Sequence, residues 1–544
     1  MTSNKFICFV VFILLAASPL FFSGQELPTT KTFTPSDTVR TVEILPPVRK
    51  LEYRKVDSVT ELTILAGNVR LRQGNSIFEC DSCVINKRIN LFEAWGNIHI
   101  NDSDTSDIYA DHLRYLTDRR IAYLDGNVKL TDGTGILTTP TLEYDVNTKV
   151  GIYRNGGRVV NKETVLTSEE GFYYADLKDV YFKKNVKLRD PKYDLESDSL
   201  LYNTGTEIVR FIAETFVKDS TNRTIRTKEG YYDKRTGKAE FGLNPIISDK
   251  DIQATGEKII SDDSTGITQI LGKGIIIDTA GKRTVIADTI FYNKKTESFL
   301  AFAKPLMIIE QEEDSIFITA DTLFSARLSD LYTNRDSVIK KDTLRGLKII
   351  DTKTKDSTDR YFEAFRHVRI FSDSLQAVCD SMFYSFRDSV FRLFDDPVVW
   401  SNESQITGDT IYLFTKNKKA DRMQVFKNSF IASMLKPEVF NQVKSIRMDA
   451  YFIDGNIDSV RARGAAECIY YIQDEDSAFT GINQSNADLM DVYFKERELQ
   501  RVVFRTAVKG TIWPMKQKTP QEMRLQNFKW RDAERPKTKF EMFE

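Results

Sequence analysis

Two cysteines three residues apart, Cys80 and Cys83, are the first side chains in this sequence whose types and spacing could do chemistry. In an oxidising compartment they could pair. As half of a zinc site they would need a second pair at similar spacing, and Cys379 and Cys468 stand far apart. The three histidines, His99, His112 and His367, are too scattered to support a Ser-His-Asp arrangement, and there is no phosphate loop, GxSxG or HExxH. What remains is a set of aspartates, Asp81, Asp111, Asp198, Asp288, Asp321, Asp380 and Asp409. Clustered carboxylates could hold calcium or work as an acid–base pair. These instead recur at long, regular intervals, which favours a structural use. The expectation is therefore no catalytic residue, no metal and no cofactor.

The aspartates belong to a repeat. An apolar residue, a small residue, Asp, Ser or Thr, an apolar residue and often Tyr recur, as in Ile108-Tyr109-Ala110-Asp111-His112-Leu113-Arg114-Tyr115 and Val285-Ile286-Ala287-Asp288-Thr289-Ile290-Phe291-Tyr292. Weaker copies place Pro140, Glu169, Lys228 and Gly256 at the Asp position, and a further one centres on Asp449. From Asp81 to Asp288 the steps are 30, 29, 29, 29, 30, 28 and 32 residues. About 15 residues after an anchor comes a second mark: Gly96-Asn97, Gly126-Asn127 and Lys184-Asn185, with a first copy at Gly67-Asn68. Both Gly and Asn tolerate positive φ, so these read as turns between strands. The residues that follow alternate apolar and polar, which is the two-residue period of a strand.

The alternation changes phase at each Asp. Apolar or small residues lie three and one before it, and two and four after it. A corner at Asp would bring both sets to one inner face, with the carboxylate free to bond backbone amides released by the bend. Cys80 and Cys379 occupy the small position filled elsewhere by Ala110, Ala287, Ala320 and Gly408, so they are expected to be small buried residues. Val69, Leu71, Ile98, Ile100, Val128, Leu130, Val186 and Leu188 point to the inner face and are the candidates to line a lipid groove, with ordinary sheet core as the alternative.

Composition sets the frame. Abundant Phe (36) and Tyr (22) with few prolines (14) fit a mostly β chain. The balance of 77 basic and 78 acidic residues produces no field to gather nucleic acid. Lys5 and the apolar run from Phe6 to Phe22 read as a secretory signal peptide ending near Ser23-Gly24. The expected organisation is a signal peptide at 1–24, a linker at 25–60, repeats at 61–325, a polar insertion at 326–358, a second repeat region at 359–515 and a basic, aromatic tail at 516–544.

Such β units cannot bury an apolar face alone and must stack. If the paired sheets leave a gap, it is a hydrophobic trough. At about 0.8 kcal/mol per methylene, a ~12-carbon acyl chain gains on the order of 10 kcal/mol on entering it.

The Gly-Asn-Val starts and Ala-Asp-x-φ-x-Tyr segments behind a signal peptide resemble the OstA/LptA family, which includes the periplasmic N-terminal domain of LptD. The likeness is best over Leu65 to Phe241 and extends to Ser325, returning near Phe371 to Tyr412; the length resembles the extended OstA-like proteins of Bacteroidetes. The resemblance implies an all-β fold, a repeat-built antiparallel β-jellyroll or "β-taco" with an apolar groove. It implies a periplasmic protein, near the outer membrane, that shields the lipid A acyl chains of lipopolysaccharide. Its partners would be other lipopolysaccharide-transport proteins, joined end to end by strand addition, and an outer-membrane translocon. The stretch after the repeats is too short for the transmembrane barrel of LptD, which favours a bridge over an insertase. Two other classes compete: a structural or adhesive β-solenoid with a filled core, and a repeat-built polysaccharide lyase or hydrolase, which would need carboxylates clustered on one face.

Overall fold

The computed structural model describes residues 42–543 apart from 103–105, 311–314, 332–358, 417–418, 454–455, 475, 477 and 496–497. The expected signal peptide and most of the expected polar insertion lie outside the described residues.

Strand propensity and the two-residue alternation produce antiparallel hairpins, each new strand pairing with the one before it. Glu61–Gln73 pairs with Ser76–Asn86, which pairs with Leu91–Asp102, then Ser106–Leu116, Ile121–Thr131 and Ile136–Asp145. Further on, where strands divide, a half-strand also pairs past its chain neighbour, as Glu170–Tyr174 does with Val150–Tyr153, and among the described residues forty strands form one ladder. Thr322–Arg327 pairs with Arg360–Phe371, so the ladder runs unbroken across the polar segment between them. The fold is all-β and antiparallel.

Each long strand bends at its middle, so the ladder doubles over into two facing sheets. In Ser76–Asn86 the buried apolar positions are Phe78 and Cys80 before the bend and Cys83 and Ile85 after it, with Asp81 exposed at the bend itself. The phase change at Asp thus places both apolar sets inside. Where the bend is sharper the strand divides, as at Gly156 (φ 86°) between Val150–Tyr153 and Gly157–Asn161.

The Gly-Asn pairs correct the sequence expectation. They are not turns between strands but bulges inside a single bent strand. Ala66 pairs with Ser82 and Val69 with Cys80, so Gly67 and Asn68 together oppose Asp81 alone. Both bulge residues are left-handed, at φ 79° and 53°. The hairpin turns lie elsewhere, for example at Asn86–Leu91, where Asn86 caps a short 3-10 turn.

At one end of the ladder Glu43–Leu45 and Lys50–Lys55 each cover half of Glu61–Gln73. At the other, Glu498–Arg505 and Lys509–Pro514 do the same for Phe479–Lys495. The chain beyond Pro514 does not extend the ladder. It runs back as a strap over the outer face of one sheet, where Phe528 and Trp530 pack on Phe440, and Met542 on Leu306 and Phe371. Two buried glutamines fasten it: Gln442 bonds Met523 O and Leu525 N, both at 2.9 Å, and Gln405 bonds Lys529 O and Arg531 N.

Candidate functional site: the interior and its two long edges

The interior is a continuous apolar space bounded by a folded edge, or spine, and by the opposite edge where the two sheets approach again, the mouth. All eight inward residues named from the sequence lie inside. Val69, Ile98, Val128 and Val186 are 1–2% exposed, and Leu71, Ile100, Leu130 and Leu188 are 0% exposed. They form packed core and do not border open space.

The spine is built from the two sequence marks together. Asn97 Nδ2 donates to Asp81 Oδ2 and Asn127 Nδ2 to Asp111 Oδ2, both at 2.8 Å, and Asn428 Nδ2 donates to Asp409 Oδ1 at 2.9 Å. Asn185 bonds Glu169 in the same way, and His367 meets Asp321 at 3.1 Å. Asp288 and Asp380 donate their backbone N–H to Ala303 O and Asp395 O, and Asp198 sits opposite the Lys184-Asn185 bulge. The carboxylates of Asp81, Asp111, Asp409 and Glu169 therefore take the side-chain amide of an asparagine in the opposing bulge, where the sequence suggested freed backbone amides. Two anchors shift. Glu257, not Gly256, holds the corner against Gly272, its N–H donating to Gly272 O at 2.9 Å. Asp449 lies within a strand, 3% exposed and paired with Arg447 and Arg463, while Ile446 takes the corner.

The mouth carries a second periodic row, which the sequence reading missed. Tyr115 donates to Gln73 Oε1 at 2.5 Å, and Tyr144 to Asp102 Oδ2 at 2.9 Å. Thr204 donates to Asp132 Oδ2 at 2.9 Å, Asn161 donates to Tyr202 Oη at 3.0 Å, and Lys234 pairs with Asp190 at 2.6 Å. Each bond ties a hairpin end of one sheet to a hairpin end of the other. The only signal in the sequence was the repeated Tyr and, about 29 residues apart as well, the set Gln73, Asp102, Asp132, Asn161 and Asp190. Burial pushes the Tyr115 and Tyr202 hydroxyls up to about 12. Burial and the adjoining Asp102 charge push Tyr144 up as well, so these phenols stay protonated. Burial would raise the Asp190 carboxyl, but bonds from Lys234 and Thr164 outweigh it and hold it below its ordinary value.

Beyond Asp190 the interior widens into a cavity of about 240 Å³. Leu195, Val209, Phe211, Val217, Ile225 and Phe241 line it, with Lys192, Asp219, Arg223, Asp263 and Lys294 around it. Tyr193 is 8% exposed and its hydroxyl has no hydrogen-bond partner among the described residues. An apolar floor with charged groups about it suits an amphiphile.

The thiols are inert. Cys80, Cys83, Cys379 and Cys468 are free and buried. The bond with Cys80, then burial, pushes the Cys83 thiol up, and burial pushes Cys379 and Cys468 up to about 12.

Fold and site define a stacked-hairpin β protein built around an apolar interior. Residues 44–198 match the family described as OstA-like protein. Among solved structures the chain is similar to LptH of Pseudomonas aeruginosa, described as the LptA homologous periplasmic component of the conserved lipopolysaccharide transport device. The identity is 20%, covering 19% of this chain and 79% of that one, with a TM-score of 0.18. No curated protein matches. Most of the cavity lining lies beyond the matched segment.

Proposed function

We propose that this chain is a periplasmic lipopolysaccharide-binding transport protein that shelters lipid A acyl chains between its sheets and bridges towards the outer membrane. The observation that carries the reading is the uninterrupted apolar interior, opening after Lys192 into a cavity with an apolar floor and charged surround. The OstA-like match over 44–198 supports it. Among the described residues, the edge strands at both ends of the ladder pair on one side alone, a geometry that suits end-to-end strand addition to like proteins or to a translocon. A photo-crosslinking residue placed at Phe211 is expected to capture lipopolysaccharide in cells, while one on the outer face at Phe216 captures none; no adduct at any inward position refutes the reading. The filled core at the eight inward positions favours a second reading, a structural β-solenoid without lipid. That protein would purify free of lipid and locate to the cell surface.

A further inference from the structure

The sheet face beneath the strap is laid out to hold a peptide backbone. Gln376, Gln405, Gln442 and Gln484 stand in one cross-strand row on alternate strands, with Trp400, Ala432 and Ile469 between them. Gln405 and Gln442 are 2% and 1% exposed, and both grip the strap in the same way. Nε2 donates to a strap carbonyl and Oε1 accepts the N–H two residues on: Met523 O and Leu525 N for Gln442, Lys529 O and Arg531 N for Gln405. Gln376 accepts from Arg535 Nε at 2.8 Å, and Gln484 accepts from Trp513 Nε1 at 3.2 Å where the chain leaves the ladder. Bonds to main chain hold an extended segment whatever its side chains, and flanking pockets choose the sequence. Here Met523 and Leu525 join Val439, Ile469 and Ile482 in one apolar cluster, while Arg524 meets Glu438 at 3.0 Å and Arg531 meets Asp396 at 2.8 Å.

None of these contacts requires the strap to belong to the same chain. Among the described residues nothing beyond Pro514 pairs with a ladder strand, and the link to Thr519 leaves Lys516 and Gln517 exposed. A bare track would present Val439, Ile469 and Ile482 to water, so its strap is exchanged for another and not simply shed. The segment whose apolar spacing and charges fit it is this C-terminal stretch, whichever copy supplies it. We propose that the glutamine row is a docking track for an extended peptide and that it takes the C-terminal strap of a second copy, two chains joining by exchange of straps. The exchange keeps every contact and gives up only the tether, so concentration governs it. What the interior carries does not enter.

A fluorescent synthetic peptide of residues 519–543, titrated into the full chain carrying Met523→Asp/Leu525→Asp, tests the track, because those changes free the chain's own strap and leave the glutamines in place. Saturable binding is expected, weakened roughly tenfold when Gln442→Ala is added. Native mass spectrometry of the wild-type chain tests the exchange with its strap unaltered. Concentrated protein is expected to hold a dimer that falls several-fold in Gln405→Ala/Gln442→Ala. A dimer that persists in that variant is joined elsewhere, as at the ladder ends, and overturns the proposal. So does a wild-type chain that stays monomeric, or a peptide that the freed track does not bind.

Discussion

Gly126 shows how one residue holds a corner. Its φ of 77° suits glycine, and a Cβ there would meet Asp111 Oδ2 at 2.6 Å. Gly126→Ala therefore costs the strain of a left-handed residue, about 1–2 kcal/mol, and displaces the carboxylate that Asn127 bonds. Asp111→Ala removes that carboxylate, and being exposed it costs under about 1 kcal/mol. In the double variant the clash is gone, so urea denaturation is expected to give a loss smaller than the sum of the two. At the mouth, Asp190 carries the pH dependence. Its folded value is depressed from 3.8, so its contribution to stability is fully present above 3.8 and lost as pH falls through the folded value. Asp190→Asn is expected to flatten the acid limb of a stability–pH profile; an unchanged limb would refute that role. Asp and Gly-Asn were legible because their spacing repeats. Their pairing was not, because it joins residues 16 apart across a hairpin and depends on register. Tyr115, Tyr144 and Tyr202 read as ordinary inward aromatics, since a hydroxyl's partner on the opposite sheet leaves no local pattern.

At the scale of elements, strands and inward faces were legible from period-two alternation and its slip at Asp. The corner was legible at each Asp, but the left-handed bulge opposite it only where glycine or asparagine spelled it. The same left-handed bulge is built from Ala303-Lys304, Arg366-His367, Asp395-Asp396 and Thr506-Ala507, pairs without the Gly-Asn signature. Packing and ladder bonds on both sides impose the conformation there, overriding local preference. The basic, aromatic tail was recognised as lacking the repeat, but its course along an outer sheet face was invisible in sequence. That course rests on the two glutamines. Gln442→Ala leaves the Met523 carbonyl and the Leu525 amide without this partner, a cost of about 1–3 kcal/mol borne by the strap. Limited proteolysis is expected to cut within 515–543 much faster in that variant while the ladder stays resistant; a strap equally protected in both proteins would show the glutamine is dispensable.

For the whole molecule, bending or dividing the strands along one line folds a long ladder over a single apolar interior. The OstA-like match reaches 198, whereas the described ladder runs on to Pro514 with the same hairpin logic. The eight inward residues named from sequence are packed core, and the cavity described above is lined by residues from Lys192 onwards. Sequence could not separate those cases, because a packed inner face and an open one share the same alternation. The central claim is that the cavity holds the acyl chains of a glycolipid. Ala239 lines that cavity and is 5% exposed, so Ala239→Phe fills it with apolar volume and adds no charge. The direct measurement is mass spectrometry of lipids that copurify with the mature wild-type protein and with Ala239→Phe. The account predicts an acylated glycolipid on the wild type and several-fold less on the variant at equal thermal stability. A wild-type protein free of lipid, or equal glycolipid on both, would contradict it.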